Sequence, residues 1–388
     1  MTIEIPAPDD LPTDAHSGLH SERGALPGEH PGRARDPIIK VRDLAWLEFE
    51  KPDLDRTEHF ARDFGFTVAA RTREELRLRG SFPGTDSLVI RRGSRSRFTG
   101  PVFQAAAAED LDRLARHAGA RVRGLGAGRP GRIAELTDPS GIAVGVVHGA
   151  EEHAELPGQV PLTLNTGLGP DRFAAPRINR TQRAALEPAR VQRLGHVVLE
   201  TPRFQTALNW YLHTLGLIVS DFLHLPDDRS FGPTMAFIRC DRGGEPADHH
   251  TLAMHLGPST GYVHSAYQVS DLDALAAGGR YLGERGYKRA WGIGRHVQGS
   301  QLFDYWRDPD GLMVEHFADG DLFDASVEPG WASMSATGLA QWGPPVTRDF
   351  LGAAPSPAKL REIFDSVRGE GTELTTARLL SLLKAMNS

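Results

Sequence analysis

The sequence predicts an α+β protein of two domains, each assembled from two copies of a small strand-helix-strand unit, with a helical extension at the C-terminus. Three observations carry this. A pattern of apolar strand, helix and glycine turn recurs four times, an Asp-Pro-x-Gly tetrapeptide followed by an apolar strand recurs twice, and the segments outside the repeats differ from them in composition.

The first unit opens on the strand Leu44-Ala45-Trp46-Leu47-Glu48-Phe49-Glu50, continues as a helix from Asp53 to Asp63, and turns through Phe64-Gly65-Phe66 into another strand. The same order returns as Leu194 to Thr201, Arg203 to His213 and Leu215-Gly216-Leu217. Weaker copies run from Pro101 through Asp110-Leu111-Asp112 to Gly119, and from Val263 through Asp271-Leu272-Asp273 to Gly286-Tyr287. Two units then make an N-terminal domain over 38–150 and two make a C-terminal domain over 192–320. Each domain closes alike, with Asp138-Pro139-Ser140-Gly141 before Ile142 to Gly145 and Asp308-Pro309-Asp310-Gly311 before Leu312 to Glu315. Proline pre-sets φ in such a turn and glycine tolerates positive φ, so the tetrapeptide delivers the strand that follows.

Residues 1–37 are rich in Pro, Gly, His and acidic side chains, with no apolar period to bury; they read as a disordered or draped arm whose histidines His16, His20 and His30 have no role. Residues 151–191, with Pro157, Pro161, Pro170 and Pro176, form a linker whose Asn179, Arg180, Thr181 and Arg183 either touch a substrate substituent or, as the plainer expectation, bind the domain surface. In the extension, 321–388, Trp331, Trp342 and Gly343-Pro344-Pro345 suggest a packed extended segment. Two helices follow, Pro357 to Val367 and Thr375 to Met386, the second with a stripe of Leu379, Leu380, Leu382 and Leu383. Docking or a subunit contact is the plain expectation for them; a lid over the site is the sharper one.

Composition narrows the function. A chain of 388 residues, 40% hydrophobic and 24% charged, supports two ordinary cores. A formal net charge of -6 and no long Lys/Arg run argue against nucleic acid. The single Cys240 rules out an intrachain disulfide framework. No run of about 18 apolar residues suggests a membrane span, and no basic-then-apolar signal opens the chain. The expectation is a cytoplasmic homo-oligomer that handles a small molecule.

The chemistry concentrates in apolar strands that carry the wrong residues for packing. Glu315 lies in Leu312-Met313-Val314-Glu315-His316-Phe317, and an ionised Glu there needs a partner. That partner is either a positive side chain or a metal. His196 in Leu194-Gly195-His196-Val197-Val198-Leu199 and His264 in Tyr262-Val263-His264-Ser265-Ala266-Tyr267 favour a metal, since two His and one carboxylate with open positions are the non-haem Fe(II) pattern. Aligning the repeats places Trp46 opposite His196 and Gly145 opposite Glu315. Residues that only served packing would recur in both domains, and these do not.

Gly294-Arg295-His296, Tyr305, Asp308-Pro309-Asp310-Gly311 and Glu315 follow a signature of Gly-x-His, a short spacer, Tyr, two residues, Asp-Pro-x-Gly and Glu. With these residues the sequence resembles the vicinal oxygen chelate superfamily and, within it, the two-domain type I extradiol ring-cleavage dioxygenases. The resemblance spans about 38–320 and is more specific in the C-terminal half. Two departures stand out: Asp304 replaces an apolar residue before Tyr305, and Val297-Gln298-Gly299 lacks the Asn-Asp often found there. The resemblance implies four βαβββ modules paired into two vicinal-oxygen-chelate domains. It implies His196, His264 and Glu315 as ligands of Fe(II), with Mn(II) compatible. In His249-His250-Thr251-Leu252-Ala253-Met254 it makes His250 the acid/base residue, and it makes His296 and Tyr305 pocket residues. His249 reads as a solvated neighbour, and His255 and His316 as structural. The implied reaction is cleavage of a substituted catechol beside its two hydroxyls by O2, giving a hydroxymuconic semialdehyde-type product. The competing readings are a hydroquinone- or trihydroxybenzene-cleaving dioxygenase, 4-hydroxyphenylpyruvate dioxygenase, a glyoxalase-like isomerase, and a metal-free binding protein on the same scaffold.

Overall fold

The structure is a computed structural model that describes residues 16, 22–23, 25–126, 128–165, 175–226, 228–335, 337–352 and 357–385. It contains four βαβββ modules. The N-terminal sheet has eight strands in the spatial order Thr67–Arg71, Glu75–Arg79, Leu88–Arg92, Val41–Lys51, Arg97–Ala105, Ala143–His148, Arg132–Thr137 and Arg121–Gly124. The opening strands of its two modules therefore pair at the centre. The C-terminal sheet repeats this order with Leu217–Leu225, Asp228–Cys240, Leu252–Leu256, Arg193–Thr201, Gly261–Gln268, Met313–Ala318, Leu302–Arg307 and Lys288–His296. Three short strands extend its edges: Gly330–Ser333 and then Glu22–Arg23 on one side, Ala340–Trp342 on the other.

One helix of each module packs on its sheet. Helix Leu54–Phe64 starts at Asp53, whose carboxylate accepts the backbone N–H groups of Asp55 and Arg56, and ends at Gly65. Gly65 has φ 105°, and a Cβ there would strike the carbonyl of Ala189, so only glycine allows the linker to pass this close. In the third module Phe204, Leu208 and Tyr211 of helix Phe204–Leu215 join Val197 and Leu199 of the neighbouring strand in one core. Strand alternation leaves His196 and Val198 on the other face.

The same face of the N-terminal sheet is filled. Trp46, Val89, Val102, Ile133 and Val147 form a separate apolar cluster there, and a Cβ on Gly145 would lie 2.9 Å from both Val102 and Ile133. A larger residue where the second domain has Glu315 would force Val102 or Ile133 to shift.

The two DPxG turns hold the domains together. Lys51, 3% exposed, donates to Asp308 and, over 2.8 Å, to Asp310 of the C-terminal turn. The equivalent residue of the other domain, Thr201, meets Ser140 of the N-terminal turn at 2.7 Å. Tyr281 and Tyr287 donate to Asp63 over 3.1 and 2.8 Å, and His316 donates to the Phe64 carbonyl over 2.7 Å while stacking on its ring.

The arm departs from expectation, and the second helix of the extension follows the plainer of its two readings. The arm is not simply draped: Glu22–Arg23 pairs with Trp331 and Gly330, and His16 is buried, with its Nε2 2.8 Å from the Glu328 carbonyl. His30 meets Asn209 and packs against Phe222, and His20 lies outside the described residues. In the extension, helices Pro357–Arg368 and Thr376–Ala385 form, but the latter sits on the helix-covered side of the C-terminal sheet. Leu374 and Leu382 enter the core there, and Glu373 accepts the N–H groups of Gln205 and Thr206 at the start of helix Phe204–Leu215. Helix Thr376–Ala385 is therefore no lid. Of the leucine stripe Leu382 is buried and Leu379 half-buried, whereas Leu380 and Leu383 are exposed. Asn179, Arg180, Thr181 and Arg183 are exposed on the surface.

Candidate active site

Strand register assembles the site as a row across the C-terminal sheet. His196 stands opposite Ala266, Ala266 beside Glu315, and Glu315 opposite Tyr305. His264 lies two residues from Ala266 and so shares its face. The small Ala266 side chain lets the longer His196 and Glu315 side chains converge over it. At His196 itself the ladder is bulged, and Gly195 is required because a Cβ would lie 2.3 Å from the Phe317 ring.

His196 Nε2 lies 3.4 Å and His264 Nε2 3.3 Å from Glu315 Oε2, and one donor atom from each of the three residues fits within 4.8 Å of the others. Glu315 is fully buried, His196 2% and His264 7% exposed. Both Glu315 oxygens, both ring nitrogens of His264 and Nδ1 of His196 are buried without a hydrogen-bond partner. Buried polar atoms are ordinarily satisfied, so the orphaned Glu315 oxygens and His264 Nε2, with His196 Nε2 facing them, form a donor set suited to a divalent cation. The protonation states fit as well. Burial drives the His264 imidazole down to about 4 against the pull of Glu315. Burial works to raise the Glu315 carboxyl, yet the facing His196 and His264 rings hold it well below the usual carboxylate range. A neutral imidazole beside an ionised carboxylate is the form that ligates.

Three further side chains surround this donor set. The His250 ring lies 4.1 Å from that of His196, centroid to centroid, and burial, reinforced by neighbouring imidazoles, pushes its pKa well below the ordinary value. His296 Nδ1–H donates to the Leu339 carbonyl over 2.9 Å, which leaves Nε2 to accept the Tyr305 hydroxyl over 2.8 Å. Burial and then the Glu315 charge raise the Tyr305 phenol well above its usual value, so it stays protonated and can donate. The Leu339 contact comes from the extension, on the stretch between strands Gly330–Ser333 and Ala340–Trp342. All six residues singled out in the sequence thus meet in one place.

Two residues outside that set also belong to it. His249, expected to be a solvated neighbour, is 1% exposed: its Nε2 is 2.7 Å from Asp221 Oδ2 and its Nδ1 is 3.1 Å from His250 Nδ1. Burial works to raise Asp221, and the facing His16 and His249 rings bring it below the ordinary value. The signal was present in the sequence, because Asp221 interrupts the apolar strand Leu217–Leu225 as Glu315 interrupts its own. Asp304 faces away from the site, fully buried between Arg289 and the Trp306 indole N–H. The His255 ring reaches the backbone carbonyl of Leu256, and His316 ties the domains together, so both are structural.

Comparison with known proteins agrees with this architecture. Residues 193–316 match the family described as Glyoxalase/Bleomycin resistance protein/Dioxygenase superfamily. The chain is 31% identical to metapyrocatechase 2 of Cupriavidus necator over 345 residues, 87% of this chain and 98% of that protein. It is 24% identical to an iron-dependent extradiol dioxygenase of Rhodococcus jostii (strain RHA1), over 79% of this chain and 97% of that protein. Its fold matches a variant of homoprotocatechuate 2,3-dioxygenase from B. fuscum with a TM-score of 0.65 at 18% identity, covering 83% of this chain and 84% of the other. Among the described residues no helix is long and apolar enough to cross a membrane. With a repeated βαβββ scaffold, a two-histidine, one-carboxylate donor set in its second domain and nearly full-length similarity to a metapyrocatechase, the chain belongs to the type I extradiol ring-cleavage dioxygenases of the vicinal oxygen chelate superfamily.

Proposed function

We propose that the protein cleaves a substituted catechol beside its two hydroxyls, with both atoms of O2 entering a hydroxymuconic semialdehyde-type product. Fe(II) held by His196, His264 and Glu315 is the cofactor in this reading, and Mn(II) suits the same donors. The observation that carries it is the cluster of three convergent, buried donors lined by His250, His296 and Tyr305. When bound, the metal supplies the Lewis acidity that favours an ionised catechol and the electron path that lets triplet dioxygen react with a singlet ring.

The protein's own groups do the rest. His250, neutral because it is buried, accepts a proton from a substrate hydroxyl and returns it as the O–O bond breaks. Tyr305 stays a phenol and donates a hydrogen bond, and His296, with its tautomer fixed by Leu339, holds that phenol in place. The surrounding apolar strands keep bulk water from the reacting oxygens.

The test is oxygen uptake and visible absorbance of anaerobically reconstituted Fe(II) protein with a panel of substituted catechols, beside hydroquinone and 4-hydroxyphenylpyruvate. A yellow ring-opened product from a catechol, lost in Glu315→Ala and His250→Ala, is the expected result. Iron binding without O2 uptake on any catechol overturns the reading; uptake with hydroquinone alone moves the activity to the hydroquinone-cleaving relatives.

A further inference from the structure

The acid/base histidine is the end of a buried chain of polar groups that leads away from the metal donors. His250 Nδ1 is turned toward His249 Nδ1 at 3.1 Å, and His249 Nε2 toward Asp221 Oδ2 at 2.7 Å. Asp221 and His249 are each 1% exposed and His250 4%. The backbone of His249 is fixed on both sides, since its carbonyl accepts the Ser220 hydroxyl over 2.6 Å and its N–H donates to the Asp321 carbonyl over 2.9 Å. The rings of Phe237 and Phe323 close on the pair, at 5.2 Å from His250 and 5.3 Å from His249.

Asp221 is held from its other side as well. Its Oδ1 lies 3.4 Å from Nδ1 of His16, whose Nε2 reaches the Glu328 carbonyl at 2.8 Å. Gly330, opposite Asp221 in the adjoining strand, makes room for this contact: a Cβ there would lie 2.2 Å from Asp221 Oδ1 and 2.5 Å from His16 Nδ1. The carboxylate is therefore held between two residues remote in sequence from it, His16 of the N-terminal arm and His249.

Hydrogen-bond polarity fixes where the protons sit. An ionised carboxylate only accepts, so His249 must carry its proton on Nε2. In the neutral ring Nδ1 is then a lone pair, and the proton between the two imidazoles belongs to His250 Nδ1. We propose that Asp221 and His249 are positioning residues which hold His250 as its Nδ1–H tautomer, leaving Nε2 as the bare base for the substrate hydroxyl. The inference rests on the reading of His250 as proton acceptor. It adds what selects the correct nitrogen before substrate arrives, and it gives the N-terminal arm a part in that selection.

Substitution at His249 separates tautomer control from packing, because leucine and asparagine have nearly the same shape. In His249→Asn the new amide can turn its N–H groups toward Asp221 and its oxygen toward His250, which keeps the acceptor; leucine removes it. With Fe(II)-loaded full-length protein and a catechol that turns over, His249→Leu is expected to lower kcat by about tenfold or more with KM within about threefold, while His249→Asn stays within about threefold of wild type in both. Asp221→Leu/His249→Leu should be no slower than His249→Leu alone, as members of one chain are not additive. The second readout needs no turnover: in chelator-treated, 15N-histidine-labelled protein, the His250 resonances should show a protonated Nδ1 and a bare Nε2, and this pattern should disappear in His249→Leu but persist in His249→Asn. Equal kcat values for the Leu and Asn variants, or a wild-type His250 protonated at Nε2, overturn the proposal. Failure of the catalytic reading itself would show differently, as wild-type turnover in His250→Ala, a result the tautomer spectrum does not depend on.

Discussion

Replacing Lys51 with methionine tests whether the DPxG turns hold the two domains together. Lys51 is 3% exposed, its ammonium contacts Asp308 and Asp310, and those carboxylates are 9% and 10% exposed at the side chain. Methionine conserves most of the packed stem and removes only the charge, so cavity terms stay small. Asp310 keeps Arg56 as a partner, but Asp308 is left with only the backbone N–H groups of Asp310 and Leu312. Breaking a buried pair from one side costs about 3–5 kcal/mol, most of it the penalty on the stranded charge. For a cooperative unit of roughly 150–250 residues each kcal/mol moves Tm by about 2–4 °C, so a loss of roughly 10 °C is expected. Adding Asp308→Asn removes the stranded charge and should recover about 1–3 kcal/mol, a coupling readable from a double-mutant cycle. Urea unfolding followed by tryptophan fluorescence measures both. A loss below about 1 kcal/mol, the range of exposed ion pairs, would refute the reasoning and assign the interface to its apolar contacts.

Fe(II) at a hundred times its Kd should stabilise the wild-type protein by about 2.7 kcal/mol in anaerobic thermal unfolding and chelation should reverse it, whereas Glu315→Gln should show less than a third of that gain; an equal gain in the variant would place the metal elsewhere. Burial outweighs the partly exposed Arg289 and raises Asp304 to about 7. Between the ordinary carboxylate value near 4 and 7 the folded chain keeps a proton that the unfolded chain has lost, so stability falls as pH rises through that window, by at most on the order of 4 kcal/mol. Asp304→Asn should abolish the slope in urea midpoints between pH 4 and 7; an unchanged slope would assign it to another group. Tyr305→Phe deletes a donor but no ligand, so kcat should fall by about tenfold while the Fe(II)-induced rise in Tm stays unchanged, and a smaller rise in Tm would mean that the phenol helps hold the metal.

Legibility of the site followed burial chemistry. Glu315, His196 and His264 could be found in the sequence because an ionisable side chain inside an apolar strand is costly unless it is used. His250, His296 and Tyr305 required the signature around them, since taken alone each is as easily a packed aromatic or a core histidine. Asp221 carries the same kind of signal as Glu315, an acidic residue inside an apolar strand. His249 looked like an exposed neighbour because its partner is 28 residues away, on a strand whose pairing the local sequence does not announce.

The sequence by itself determined the four repeated units, the turn that closes each domain and the fact that one domain alone carries the two-histidine, one-carboxylate set, because each of these is written in local periodicity and in comparison of one repeat with another. Tertiary structure decided the rest. It brought Ala266 between His196 and Glu315, reached from the extension to fix His296 through Leu339, and pinned Asp221 between His249 and His16. These contacts depend on register between strands and on where the termini return to the sheet. Such long-range choices are fixed by the packing of the whole core, so no window of the chain contains them.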